Sequence, residues 1–394
     1  MKVWLKNNKL LSLGLAASLI IISYWSLSLF TPEQFFQNEV FPTGIKFIHD
    51  DYDIVVHYER GSWWKNNQIP YKEVFSEYPQ LITVLFIVPT FFSVDAISYV
   101  YIYTLFMAIF FICTVWVSGK LLQHYEQPMY YLTLLFFPAF LYFTLNRFDI
   151  LAVLLVSLSV LAFVNGKNIS SSLLLSAGFF IKWYPILLVP IFIAVLLNRD
   201  KKEGLKYGII FSAVTAMVFI VSYIWFGPNI FVPYLWHVEK GVYAESIYFI
   251  IQYVLVWFNM SFVEMGLLAV ALQLFSILLP GLALYHYKKI SDKHLLPLTV
   301  FVILLFVFLM TGRSPQFFIW FTPLFILFIK DIKGYILLGS LDVFSYIYYP
   351  ISFATIGGTK SYWLFISSVV LNLIYVSLFY YLIKSATAIK PLKE

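Results

Sequence analysis

The residues able to do chemistry are few and unevenly placed. Only 12% of the 394 residues are charged, and the acids crowd into one stretch, residues 31–80. Glu33, Glu39, Asp50, Asp51, Asp53, Glu59, Glu73 and Glu77 all fall there. The ordinary fate of a loop acid is solvation, yet the run Asp50-Asp51-Tyr52-Asp53 is denser than solubility requires. A carboxylate at a low-dielectric boundary, close to like charges, gains proton affinity and can serve as a general base. Asp51-Tyr52-Asp53 also spells a D-x-D pattern, which elsewhere holds a metal–nucleotide pair. That role needs a soluble nucleotide-binding domain, which this chain lacks.

A second group consists of isolated cations: Arg147 with Asp149, Lys182, Lys240 and Arg313. Charges in or near a membrane are expensive and are normally paired or functional. Arg147 and Asp149 stand two apart, close enough for one to orient or neutralise the other. Lys182 and Arg313 have no neighbouring acid in sequence, and lysine and arginine are natural holders of phosphate. Snorkelling toward water and headgroups is their structural alternative. A later stretch, 227–246, carries His237, Glu239, Lys240 and Glu245. A lone His237 is more often a surface histidine than a ligand. The six histidines are scattered and there is one cysteine, so no metal site is expected. No P-loop, dinucleotide glycine pattern or G-x-S-x-G occurs. Trp63, Trp64, Tyr78, Trp183, Tyr184 and Trp236 could stack on sugar rings, or form the aromatic belt of a membrane interface. Asp342, inside an apolar run, reads equally as a proton relay or a hydrogen-bonded interior carboxylate.

The elements that position these residues follow from composition. Apolar residues make up 61% of the chain and aromatics 21%. No soluble fold of this size hides that much apolar surface, so the solvent is a bilayer. Apolar runs lie near 10–30, 97–119, 128–145, 149–165, 171–198, 206–226, 263–285, 295–311, 315–330, 334–350 and 362–383. Such runs must be helical in lipid. The weaker run 81–92 carries Pro89 and is expected to dip in without crossing. Lys and Arg near the run ends set orientation. Run 171–198 has Lys167 before it and Arg199, Lys201 and Lys202 after it, so both ends read as cytoplasmic. It is too long for one span and too short for two. The break at Lys182-Trp183-Tyr184-Pro185 therefore predicts two short helices with an outward apex, Pro185 opening the second. The expectation is an all-α polytopic transmembrane bundle of about 12 traverses with both termini cytoplasmic. Residues 1–394 form one integral-membrane domain, with a large first extracytoplasmic loop at 31–80 and a second outer loop at 227–246. The net charge of +6 is an orientation signal, and nucleic acid is not an expected partner.

The order of these residues carries a resemblance. Asp53-Ile54-Val55-Val56-His57-Tyr58, then Gly61, Pro70-Tyr71 and Glu77-Tyr78-Pro79, resembles the first outer loop of GT-C glycosyltransferases. The nearest branch is the polyprenyl-phosphate-mannose-dependent mannosyltransferases. Arg147-Phe148-Asp149 is similar to that family's R-x-D hairpin tip, and Lys182-Trp183-Tyr184-Pro185 to its Lys-x-Tyr-Pro apex. Glu245-Ser246 resembles its later outer loop, and Ser314-Pro315-Gln316-Phe317, with Trp320 and Pro323, its Ser-Pro-Gln-aromatic span start. The sequence departs from the pattern at Gln80, where a second proline is expected, and at His57, which stands near an expected tyrosine.

The resemblance implies transfer of a hexose, mannose first, from a polyprenyl-phosphate donor to an acceptor glycan or glycolipid on the outer face. Asp53 would be the general base, with Asp51 as substitute. Lys182 and Arg313, assisted by Arg147, would hold the leaving phosphate. Glu77, Tyr78, Asp149, His237, Glu245 and Gln316 would contact sugar or acceptor. No metal or other cofactor is implied; the lipid tail would lie in an apolar groove between spans, and membrane lipids surround the bundle. So compact a chain suggests a prokaryotic plasma membrane. The rival is a transporter or flippase of lipid-linked sugars, which would concentrate its polar groups near the bilayer midplane. It leaves the acids of the outer loop without a role.

Overall fold

The computed structural model describes residues 52–239, 241–258, 263–352 and 361–386. Asp51, the first apolar run at 10–30, residues 31–51 of the first loop, Lys240 and both termini lie outside the described residues, as does the side chain of His237.

The described chain is helical throughout. Its elements are α1 (Tyr52–Lys65), α2 (Gln80–Leu85), α3 (Ala96–His124), α4 (Pro138–Asn146), α5 (Asp149–Val164), α6 (Asn168–Phe179) and α7 (Val189–Arg199). There follow α8 (Lys201–Phe226), α9 (Val232–Glu239), α10 (Ile247–Trp257), α11 (Val263–Leu278), α12 (Asp292–Leu309), α13 (Ile332–Tyr346) and α14 (Ser361–Ala386). Local chemistry sets several of the ends. Asp95 accepts from the Ser98 amide at 2.8 Å while the Ser98 hydroxyl accepts from the Asp95 amide at 3.0 Å, a capping box that starts α3. Asp200 caps α8 in the same sense, at 2.8 Å from the Lys202 amide. Gly227, at φ +81°, ends that helix in a conformation glycine adopts without penalty.

Four described helices are long and apolar enough to cross a bilayer: α3, α8, α12 and α14. A fifth crossing results if the 3-10 segment Met129–Phe136 and α4, bent by 63°, count as one. Large apolar residues on α8 and α14, such as Ile224, Trp225 and Tyr380, stay exposed, as lipid-facing side chains must. About 12 traverses were expected. The other apolar runs form helices of 10–17 residues, and a 16-residue helix reaches only about 24 Å. Prolines and 3-10 turns divide them: Pro138, Pro185, Pro190, Pro315 and Pro323 each lie in the first turn of a helical segment. Helix α10, absent from the expected runs, is a further apolar piece directly after residues 227–246.

The run 171–198 does split as its flanking charges predict. Helix α6 ends at Phe179, a turn carries Lys182, and Tyr184–Leu188 restarts the chain into α7. Segment 81–92 is two short helices, α2 and Ile87–Thr90, too short to cross. Helix α1 rests on this pair. Gly61 is required there, because a Cβ would collide with the Phe86 carbonyl oxygen and sit 2.7 Å from the Thr90 methyl.

Asp342, within α13, settles between its two readings as a cap. Its carboxylate accepts from the Ala139 and Phe140 amides at 2.8 Å each. Those are first-turn donors of α4, which Pro138 opens and which no residue of its own segment caps. A carboxylate from a neighbouring helix supplies the missing acceptors.

Candidate active site

Helix α1, the tip between α4 and α5, the apex between α6 and α7, and the segment after α12 converge at one end of the bundle. Between them lies a cavity of about 360 Å³, lined in part by Asp53, His57, Glu77, Tyr78, Arg147, Lys182 and Gln316. Asp53 stands in the first turn of α1, where the positive end of the helix attracts a negative charge. It forms an ion pair with Arg147. Arg147 ends α4 with an extended backbone, its amide on the Phe143 carbonyl at 2.9 Å, and this swings the guanidinium away from the helix axis. That guanidinium also reaches the Tyr349 hydroxyl at 3.4 Å.

Lys182 is the second cation. Its ammonium lies 3.2 Å from Asp149, a carboxylate with no exposed surface that also accepts from the Trp320 indole at 2.6 Å. The faces of Phe148, Phe317 and Trp320 surround Lys182 at 4.6, 5.3 and 5.6 Å. Trp320 is itself clamped, stacked on Tyr184 at 4.5 Å. Lys182 therefore has no freedom to snorkel, and a dry ammonium facing a cavity suits an incoming anion. Asp149 lies behind this wall as the partner of Lys182. It is not exposed to the cavity.

Glu77 lines the cavity but is engaged by Arg60 at 3.2 Å. Arg60 stands seven residues after Asp53 on α1, close to the same helical stripe. The sequence reading missed it, though i, i+4, i+7 spacing from Asp53 through His57 was the available signal. Tyr71, at φ +65°, turns the loop so that its hydroxyl donates to the Tyr78 carbonyl at 2.6 Å, holding the Glu77-Tyr78-Pro79 strip against the cavity. Gln80 binds outward instead, to the Ile230 carbonyl at 2.6 Å and the Tyr234 hydroxyl at 2.8 Å. It ties α2 to the segment before α9.

A second cavity, about 310 Å³, adjoins the first across Arg147, Tyr243, Ser314 and Gln316, which line both. Glu245 lines this one with Tyr348 and Tyr349. Burial raises the Glu245 carboxyl to about 7, against the opposing pull of its own backbone amide, Arg313 and the Tyr348 hydroxyl. Tyr243, also missed from sequence, is fixed by its amide on the Thr311 carbonyl at 3.0 Å. Arg313 lines neither cavity. It is buried beneath Glu245, donates to Asn372 Oδ1 at 3.1 Å and lies 4.6 Å from the Tyr375 ring. The structure thus brings Asp53, Arg147, Lys182, Glu77, Tyr78 and Gln316 together, sets Glu245 next door, and leaves Arg313 off the lining of both cavities.

The described residues thus form an all-helical bundle with membrane-length helices and a cavity lined by one carboxylate and two cations. The sequence profile of glycosyltransferase family 87 matches residues 75–315, well over half the chain, and the protein belongs to that family. It is a multi-pass membrane glycosyltransferase, acting on a sugar donor and an acceptor. No curated protein and no solved structure matches the chain.

Proposed function

We propose that this glycosyltransferase moves a hexose, mannose in the first instance, from polyprenyl phosphate to a hydroxyl of an acceptor glycan or glycolipid on the outer face of a prokaryotic plasma membrane. The observation that carries this reading is the meeting of Asp53, Arg147 and Lys182 around one cavity. In this reading the donor phosphate sits between Lys182 and Arg147, and the acceptor enters from the side of Glu245. Asp53 takes the proton of the acceptor hydroxyl as that oxygen attacks the anomeric carbon. The bond from anomeric carbon to phosphate oxygen breaks, and its electron pair leaves on the phosphate. The negative charge concentrated there is stabilised by two cations already in position. With no donor bound, Arg147 is paired with Asp53. A phosphate that competes for Arg147 frees the carboxylate to accept its proton. Arg313 acts through Glu245 and Asn372, away from the phosphate.

The test is transfer by the purified protein from radiolabelled polyprenyl-phosphate mannose, glucose or arabinose. Asp53→Asn is expected to abolish transfer while expression and melting stay as in the wild type. Near-normal turnover in that variant would remove Asp53 from the base role.

A further inference from the structure

We propose that the part of the main cavity next to Lys182 is the subsite of the transferred sugar, and that His57 is the specificity-determining residue that reads one of its hydroxyls. This rests on the donor reading above, in which Lys182 holds the phosphate.

His57 is 1% exposed yet lines the cavity, and its Nδ1 has no hydrogen-bond partner. An orphaned polar atom in a buried imidazole is costly unless something arrives to satisfy it. The ring is held in place, stacked on Phe86 at 4.4 Å and 12°, with Tyr103, Phe148 and Tyr78 at 5.2, 5.6 and 5.8 Å. It stands one helical turn after Asp53 on α1, so base and imidazole project on the same side. It also shares a wall residue with the phosphate holder, because Phe148 carries Lys182 on its face at 4.6 Å. A sugar whose phosphate meets Lys182 is therefore within reach of both Asp53 and His57.

The chemistry of the ring suits a neutral ligand. Burial, reinforced by Lys182 and Arg60, pulls the imidazole down to about 3, so it is uncharged at any working pH. A neutral imidazole offers one donor and one acceptor, as a sugar hydroxyl does. It adds no third cation to a site whose positive charge belongs to the phosphate. The other polar candidates on this wall are less available: Glu77 is taken by Arg60 at 3.2 Å, and the ring of Tyr78 packs edge-on against Phe86 and Phe148.

The test uses polyprenyl-phosphate mannose and glucose donors, each with one ring hydroxyl deleted in turn, against wild type, His57→Phe and His57→Gln. Phenylalanine keeps the stacked volume on Phe86, and glutamine keeps a neutral donor and acceptor. Wild type is expected to lose about 10- to 100-fold in kcat/KM on one deoxy analogue. His57→Phe should lose a similar factor on the parent sugar and no longer distinguish that analogue from it. His57→Gln should recover part of the discrimination. If His57→Phe keeps the wild-type deoxy pattern at any overall rate, His57 is a packing residue whose Nδ1 is satisfied otherwise, for example through water shared with the buried Tyr103 hydroxyl, and the subsite is wrong. If His57→Phe does not fold, the same comparison with His57→Leu, which likewise offers neither donor nor acceptor, decides. A wild-type protein that turns over no polyprenyl-phosphate sugar overturns the donor reading, and the subsite with it.

Discussion

Lys182 is where a structural and a functional role can be separated cleanly. Lys182→Met deletes an ammonium 3.2 Å from a fully buried carboxylate, leaving Asp149 with the Trp320 indole alone. Breaking a buried ion pair from one side costs about 3–5 kcal/mol, because the stranded charge stays in a poor solvent. Lost activity in that variant would therefore have two causes. The double variant Lys182→Met/Asp149→Asn removes the stranded charge, and the asparagine oxygen still accepts from Trp320. It should recover most of the melting temperature in detergent. Transfer should not recover. A preorganised cation at a leaving group contributes about 10²–10³-fold to rate, and neither variant has it. The two measurements are thermal unfolding of purified protein and initial transfer rate at a temperature where all variants are folded. Recovery of transfer together with stability would refute the argument: Lys182 would then be only the counter-ion of Asp149.

Three further outcomes are expected. Asp342→Ala orphans the Ala139 and Phe140 amides and should destabilise by about 2–4 kcal/mol, with Asp342→Asn keeping roughly half; an unshifted melting curve with lost transfer would restore the proton-relay reading. Glu245 has its carboxyl raised to about 7 by burial, above its unfolded value of 4.5. Its protonated form is the one the fold favours, so that contribution is complete below the unfolded value and lost as pH rises through 7. Melting of the wild type should fall between pH 4.5 and 7 more steeply than that of Glu245→Gln and level off above 7, and parallel curves would count against it. A reporter fused after Lys202 should be cytoplasmic; glycan addition at the Asn168-Ile169-Ser170 sequon would invert the topology.

What the sequence made legible follows from rarity. In a chain this apolar each charge away from the basic run ends needs a reason, and Arg147 and Lys182 stand out for that cause, while Asp53 stands out from its acidic cluster only by the resemblance. The α6–α7 hairpin was readable because basic residues flank both ends of one run. What stayed hidden depends on partners remote in the chain. The contact of Arg313 with Asn372 had no local signal, because the two lie 59 residues apart. The capping role of Asp342 needs amides about 200 residues earlier. Helix α10 escaped because 11 residues fall far short of the roughly 20 that signal a span. Orphaned atoms such as His57 Nδ1 have no sequence signature at all.

Helix α4 is held at one end by Asp342 and delivers Arg147 at the other. Nine residues make it a rod roughly 13 Å long. A guanidinium shared by two cavities is thus aimed by a carboxylate that touches neither. Distance from substrate is therefore a poor guide to which positions a randomised library will find sensitive. Weak substitutions at residue 342 that leave the protein folded should loosen donor binding more than they slow the chemical step, much as moving the fulcrum of a lever changes where its tip lands.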